Sequence, residues 1–268
     1  MKKLYFIVLT TATLLAGFAV SSFAAPLPSG WTCAGNCGTN TAADGDVTLA
    51  PGFSSYQWIS TNGGVNGGGT LPVGSTGLET DGSLANTPTF SVNSGDDLNF
   101  YFNYITSDGD GFPEYAWAGL FSGGIFDFLL FNARTTPTGD TVPGFGLPGL
   151  GAGVTLDPAS TAIIPNETDF SPLGGDSGGC WAAGCGNTGW IEMGYTFTTG
   201  GTYSLGFGVT NANDTAFDSA FAFAGVSIND VVIDQPSTVP VPSSLLLLGM
   251  GLAGITYRRR RSISRISA

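Results

Sequence analysis

The chain contains no histidine, and only eight of its 268 residues are lysine or arginine. Without imidazole there is no base of the kind that takes the serine proton in a Ser-His-Asp arrangement. The basic residues are also confined. Lys2 and Lys3 stand at one end, Arg258, Arg259, Arg260, Arg261 and Arg265 at the other, and Arg134 alone lies between them. All twenty acidic residues fall between Asp44 and Asp234, so the middle of the chain sets one arginine against twenty carboxylates, a net −19. Binding to nucleic acid rests on neutralising phosphates, and this composition excludes it. The same charge repels anionic lipid and favours cations such as Ca²⁺.

Helical periodicity is missing between Pro26 and Pro236, and no repeat of solenoid length is present. What is present is alternation. In "DLNFYFNYI" Leu98, Phe100, Phe102 and Tyr104 share one face; in "TYSLGFGVT" Tyr203, Leu205, Phe207 and Val209 do the same. A period of two marks a half-buried strand. Further strands are expected at 53–59, 89–92, 115–121, 126–132, 190–197, 220–228 and 230–233, several of them apolar on both faces. Loops dense in Gly, Asn, Asp, Ser, Thr and Pro separate them, among them a long glycine-proline stretch over 136–158. The expected fold is mainly β: an antiparallel β-sandwich, jelly-roll-like, whose aromatics supply much of the core.

The N-terminus reads as a secretory signal for the Sec translocon. Lys2 and Lys3 form a basic start, Leu4 to Val20 an apolar stretch, and Ser22-Phe23-Ala24 a cleavage site with the cut after Ala24. Export puts the four cysteines in an oxidising compartment, where Cys33, Cys37, Cys180 and Cys185 are expected in disulfides, with three connectivities open. Spacings of four and five fit a structural zinc site poorly.

Several constellations offer chemistry. "GGDSGG" (174–179) resembles the nucleophile motif of chymotrypsin-like proteases, yet no histidine exists to serve Ser177, and the exported part has no lysine to replace it; Ser177 reads as a loop serine. Glycoside hydrolysis needs two facing carboxylates; Glu114 and Glu192 are the glutamates flanked by aromatics, and both are expected at strand edges facing solvent. A structural Ca²⁺ is the stronger expectation. "SDGDGFPE" places Asp108, Asp110 and Glu114 in a tight loop, and Asp214 and Asp218 become donors if the loops converge, since Ca²⁺ takes six to eight oxygens. Trp31, Trp58, Trp117, Trp181 and Trp190 would suit a sugar-binding face if exposed together, and a core if not. No catalytic residue emerges; the chain is expected not to be an enzyme.

The C-terminal stretch "VPVPSSLLLLGMGLAGITYRRRRS" (239–262) departs from everything before it. Its apolar part, 243–257, would reach about 22 Å as a helix, short for a bilayer core of about 30 Å, although arginines that snorkel lengthen the reach. Arg258, Arg259, Arg260 and Arg261 would stay cytoplasmic and leave the acidic body outside. Three segments follow: a signal peptide (1–24), a sandwich ectodomain (25–235) and an anchor segment (236–268).

The order of these parts resembles the PEP-CTERM protein-sorting signal of Gram-negative bacteria: Pro240, Val241 and Pro242, then Ser-Ser, a leucine-rich span and the arginine cluster. Val241 stands where the family usually has glutamate. The resemblance implies an exosortase that reads the tail, cuts near Pro240-Val241-Pro242, and passes the body from a membrane-anchored inner-membrane precursor to the cell surface or medium. "NFYFNYITSDGDGFPEYAWAGLFSG" and the segment from Thr202 to Ile228 are similar to bacterial sandwich ectodomains that precede such anchors, which implies association with exopolysaccharide or biofilm matrix. A lectin-like, Ca²⁺-stabilised surface module is the alternative expectation.

Overall fold

The structure, a computed structural model, describes residues 25–234. The expected signal segment, the membrane helix and the sorting residues Pro240 to Arg261 lie outside the described residues. Among the described residues no helix is long and apolar enough to cross a membrane. Nine strands of five or more residues carry the fold: β1 (Asn36–Asn40), β2 (Tyr56–Ser60), β3 (Glu79–Asn86), β4 (Asp97–Thr106), β5 (Tyr115–Ser122), β6 (Ile125–Arg134), β7 (Ile191–Thr196), β8 (Gly201–Ala212) and β9 (Ser219–Ile228).

They form two antiparallel sheets. One runs Thr32–Ala34, β3, β8, β5, β6; the other runs Thr155–Asp157, β7, β4, β9, β2, β1. The expected sandwich is therefore what the chain builds. Both alternating segments behave as their pattern requires: Leu98, Phe100, Phe102 and Tyr104 from β4 and Tyr203, Leu205, Phe207 and Val209 from β8 are all buried in the cluster between the sheets. Aromatic rings close that gap. Phe207 of β8 stacks on Phe223 of β9 at 4.1 Å and 4° between planes, and Phe131 of β6 on Phe221 at 4.9 Å. Each fully buried phenylalanine contributes roughly 1.5–3 kcal/mol of apolar burial. Trp31 lies against Phe207 and Phe223 at 5.7 and 5.8 Å, as part of the same stack.

Strands that read as apolar on both faces are covered on both faces, but by loops rather than a third sheet. Ala220, Ala222 and Ala224 of β9 turn away from the phenylalanines and meet Val47, Ala50, Phe170 and Leu173. On the other sheet, Tyr115, Trp117 and Leu129 are buried under Leu71, Leu147 and Leu150. The 136–158 stretch that reads as a loop contains two short strands, Asp140–Val142 and Thr155–Asp157. β3 has no strand signature. It pairs along β8 because Gly82 lets the two backbones approach: a Cβ there would lie 2.2 Å from the Val209 carbonyl oxygen.

Candidate functional site

β4 and β8 end, and β5 and β9 begin, at one end of the sandwich, since Thr106 pairs with Ser219 and Thr210 with Tyr115. The loops there carry most of the acidic residues singled out above. The two cysteine pairs are at disulfide distance, Cys33 with Cys37 (Cα–Cα 6.3 Å) and Cys180 with Cys185 (5.6 Å). The second loop braces the acidic one: the Trp181 N–H donates to the Ser107 carbonyl at 2.9 Å, and the Asp110 N–H to the Ala183 carbonyl at 2.9 Å. Gly109 is required for that contact, because a Cβ would stand 2.6 Å from the Ala182 carbonyl oxygen.

Glu114 is the centre of the arrangement, and it does not face solvent at a strand edge as its sequence context suggests. It precedes β5 on the inward face and is wholly buried, because Tyr115 takes the outward position under Leu71. Its Oε2 accepts hydrogen bonds from the Ser219 and Thr106 hydroxyls; Oε1 is buried with no partner. Burial pushes the Glu114 carboxyl well above the ordinary glutamate range, against the pull of the Ser219 hydroxyl, and the neighbouring Asp108 and Asp218 push it further. Asp108, buried beside it, is raised to about 7 by the same loss of water, opposed by the Gly109 N–H and helped by Asp214 and Asp176. Asp218 rises to about 6, mainly through burial, with the Thr61 hydroxyl opposing and Asp176 and Asp81 adding repulsion.

The structure thus brings Asp108, Glu114, Asp214 and Asp218 to one end of the fold and adds Asp176 and Asp81, which sequence reasoning missed. Asp176 stands in the decoy "GGDSGG", and its Oδ2 accepts the Asp218 N–H at 3.1 Å. Asp81 sits in the unrecognised β3 and accepts from Asn211 at 3.2 Å. Asp110 is exposed on its loop. Among the described residues no three histidine, cysteine, aspartate or glutamate side chains converge as a ready metal cage.

Ser177 has a local role. Its hydroxyl accepts the Phe170 N–H at 2.9 Å and donates to Asp169 at 3.1 Å, tying the loop that covers β9. Glu192 accepts the Tyr101 hydroxyl at 3.0 Å from the strand alongside, on the outer face of the sheet opposite the one that Glu114 leads into. The tryptophans do not form a shared platform. Trp58 and Trp117 are buried, Trp31 and Trp190 half-buried, and only Trp181 is largely open, at 56 % exposure beside Phe217. A separate cleft of about 320 Å³ lies over the β1–β2 edge, bounded by Asn36, Asn40, Asp44, Trp58, Asn62 and Ser171.

No curated protein matches the chain. Among solved structures it is similar to the K1 cleaved adhesin domain of Lys-gingipain from Porphyromonas gingivalis W83, at 9 % identity over 75 % of this chain and 92 % of that one, with a TM-score of 0.34. The K3 cleaved adhesin domain of the same protein gives 12 % identity over 74 % and 92 %, with a TM-score of 0.33. The tail is matched directly: residues 238–261 fit the family model of the PEP-CTERM protein-sorting motif, so this chain carries the mark of an exported protein sorted to the cell surface.

Proposed function

We propose that the chain is a non-enzymatic surface or matrix protein whose sandwich is delivered outside the cell by exosortase and associates there with exopolysaccharide. The observation that carries this reading is the sorting motif at 238–261, placed after an acidic domain and preceded at the far N-terminus by a basic-then-apolar start. The path has three steps. The Sec translocon exports the chain and residues 1–24 are removed. The 243–257 segment then holds an inner-membrane precursor with Arg258 to Arg261 on the cytoplasmic side. Exosortase finally cuts near Pro240-Val241-Pro242 and releases the body.

The non-enzymatic part of the reading is supported by the fate of the catalytic candidates. Ser177 is engaged in its own loop, and Glu114 and Glu192 belong to different sheets, the first buried inside the sandwich and the second bonded to Tyr101 on an outer face, rather than to one cleft. The test is the intact mass of the protein recovered from its native envelope and medium. Loss of residues 1–24 and of everything beyond about Pro240 supports the reading; a mass that retains Arg258 to Arg265 makes the tail a lasting anchor and overturns it.

A second reading, a lectin-like module, is favoured by the cleft over β1 and β2, where amide and hydroxyl groups surround the edge of Trp58. Sugar recognition uses that mixture of apolar surface and fixed polar groups. Retardation of the protein in gels containing the cell's own exopolysaccharide, abolished by Asn62→Ala, would support it; equal retardation of both forms would remove the cleft from consideration.

A further inference from the structure

The loop end of the sandwich holds two oxygens that the protein leaves without partners. Glu114 Oε1 and Asn211 Oδ1 are both buried and accept no hydrogen bond, and both residues are 0 % exposed. They come from neighbouring strands. β5 and β8 pair Tyr115 with Thr210 and Ala116 with Val209, so Glu114 and Asn211 are the next pair in register, on the inward face. A buried polar group left unpaired costs about 1–3 kcal/mol, and more when charged, so two of them side by side call for a ligand.

The surroundings define its chemistry. Asp218 directly precedes Ser219, whose hydroxyl bonds Glu114, and Thr61 is bonded to one of the two Asp218 oxygens, Oδ1. Asp108 is linked to the same group, its N–H donating at 3.2 Å to the Thr106 hydroxyl that bonds Glu114. No cation of the described chain offsets them: Arg134 donates instead to the Pro113 and Phe145 carbonyls. Every available donor is a hard oxygen, from carboxylate or amide, supplied by strand β8 and by the segments that lead into β5 and β9. Such a set suits Ca²⁺, which accepts irregular shells of six to eight oxygens including asparagine carbonyls, better than Mg²⁺, which demands a near-ideal octahedron.

We propose that Glu114, Asn211 and Asp218 hold a calcium ion between the two sheets, with Asp108 adding charge beside it. The set is two carboxylates and an amide, in keeping with the absence of a three-carboxylate cage among the described residues. Backbone carbonyls and water complete the shell. The ion ties β5 and β8 of one sheet to β9 of the other. This goes beyond surface delivery and does not depend on it.

The test uses the full chain in detergent solution, stripped with EGTA and titrated with Ca²⁺, Mg²⁺ or Tb³⁺. With an affinity in the range of extracellular modules, Ca²⁺ at about 10 mM raises Tm by about 3–10 °C, Mg²⁺ much less. Tb³⁺ gains luminescence on tyrosine excitation, because the Tyr104 hydroxyl lies 3.3 Å from the Ser219 hydroxyl that bonds Glu114. Glu114→Gln removes the Ca²⁺ response. Asp218→Asn, at a partly exposed position, weakens it at least tenfold and decides the matter if the first variant fails to fold. The proposal is overturned by no Ca²⁺ shift, by an equal shift with Mg²⁺, or by an Asp218→Asn variant that responds like the parent.

Discussion

Glu114 of one sheet accepts a hydrogen bond from Ser219 of the other, and the same Ser219 oxygen lies 3.3 Å from the Tyr104 hydroxyl, which in turn contacts Thr135 at 2.7 Å. A polar chain therefore crosses the end of an otherwise aromatic core. Buried networks of this kind are costly when a member is lost, because the remaining groups cannot turn to water. Ser219→Ala is expected to lower stability by about 1–3 kcal/mol, read as a lower urea midpoint with an unchanged slope. Tyr104→Phe is expected to cost less, since Ser219 keeps its bond to Glu114.

Trp117 lies flat across Gly208. Its indole nitrogen donates to the Gly69 carbonyl, and a Cβ on residue 208 would stand 2.3 Å from that nitrogen. Gly208→Ala should therefore push the ring off its acceptor and cost about 1–3 kcal/mol. Urea titration measures the loss, and a red shift of tryptophan emission reports the displaced ring. An unchanged midpoint would mean that the indole has room to move.

Asp234 is buried, accepts the Val226 N–H at 3.0 Å, and has its carboxyl raised to about 6, chiefly by burial, with the backbone bonds opposing. The folded state thus holds a proton that the unfolded chain releases nearer pH 4. Its stabilising contribution is whole below that value and disappears as pH rises through about 6, a change of about 3 kcal/mol. Asp234→Asn keeps an acceptor for Val226 without the charge. It is expected to be more stable than the parent at pH 7 and about equal at pH 4, which thermal melts across that range will read.

The Cys180–Cys185 link closes a short loop that holds Ser107 and Asp110 through backbone bonds. Replacing both cysteines with serine should cost about 2 kcal/mol by the chain-entropy account. The loss should also be local. Amide exchange of Trp181 and Asp110 is expected to quicken while that of Phe102, deep in β4, keeps pace only with global stability.

The alternating strands and the sorting tail were legible from residues alone, because each rests on local order: a period of two in β4 and β8, and Pro-x-Pro, apolar span and arginines in strict succession. β3 was not legible. Its Gly82 and Ser83 have little intrinsic strand preference and form a strand only because β8 offers a backbone to pair with. Glu114 was misread for a related reason. Whether a residue before a strand points inward or outward depends on which neighbour claims the outer face, and here Tyr115 does so under a loop that begins over forty residues earlier.

Charge balance and motif order by themselves determined that this is an acidic, histidine-free chain with the address of an exported, surface-sorted protein, since neither depends on folding. Only the tertiary structure decided that Asp81, Asp176 and Asn211 join Asp108, Glu114 and Asp218. These residues are spread over more than a hundred positions, and only strand registers and loop closure, set by the aromatic core between the sheets, bring them to one end.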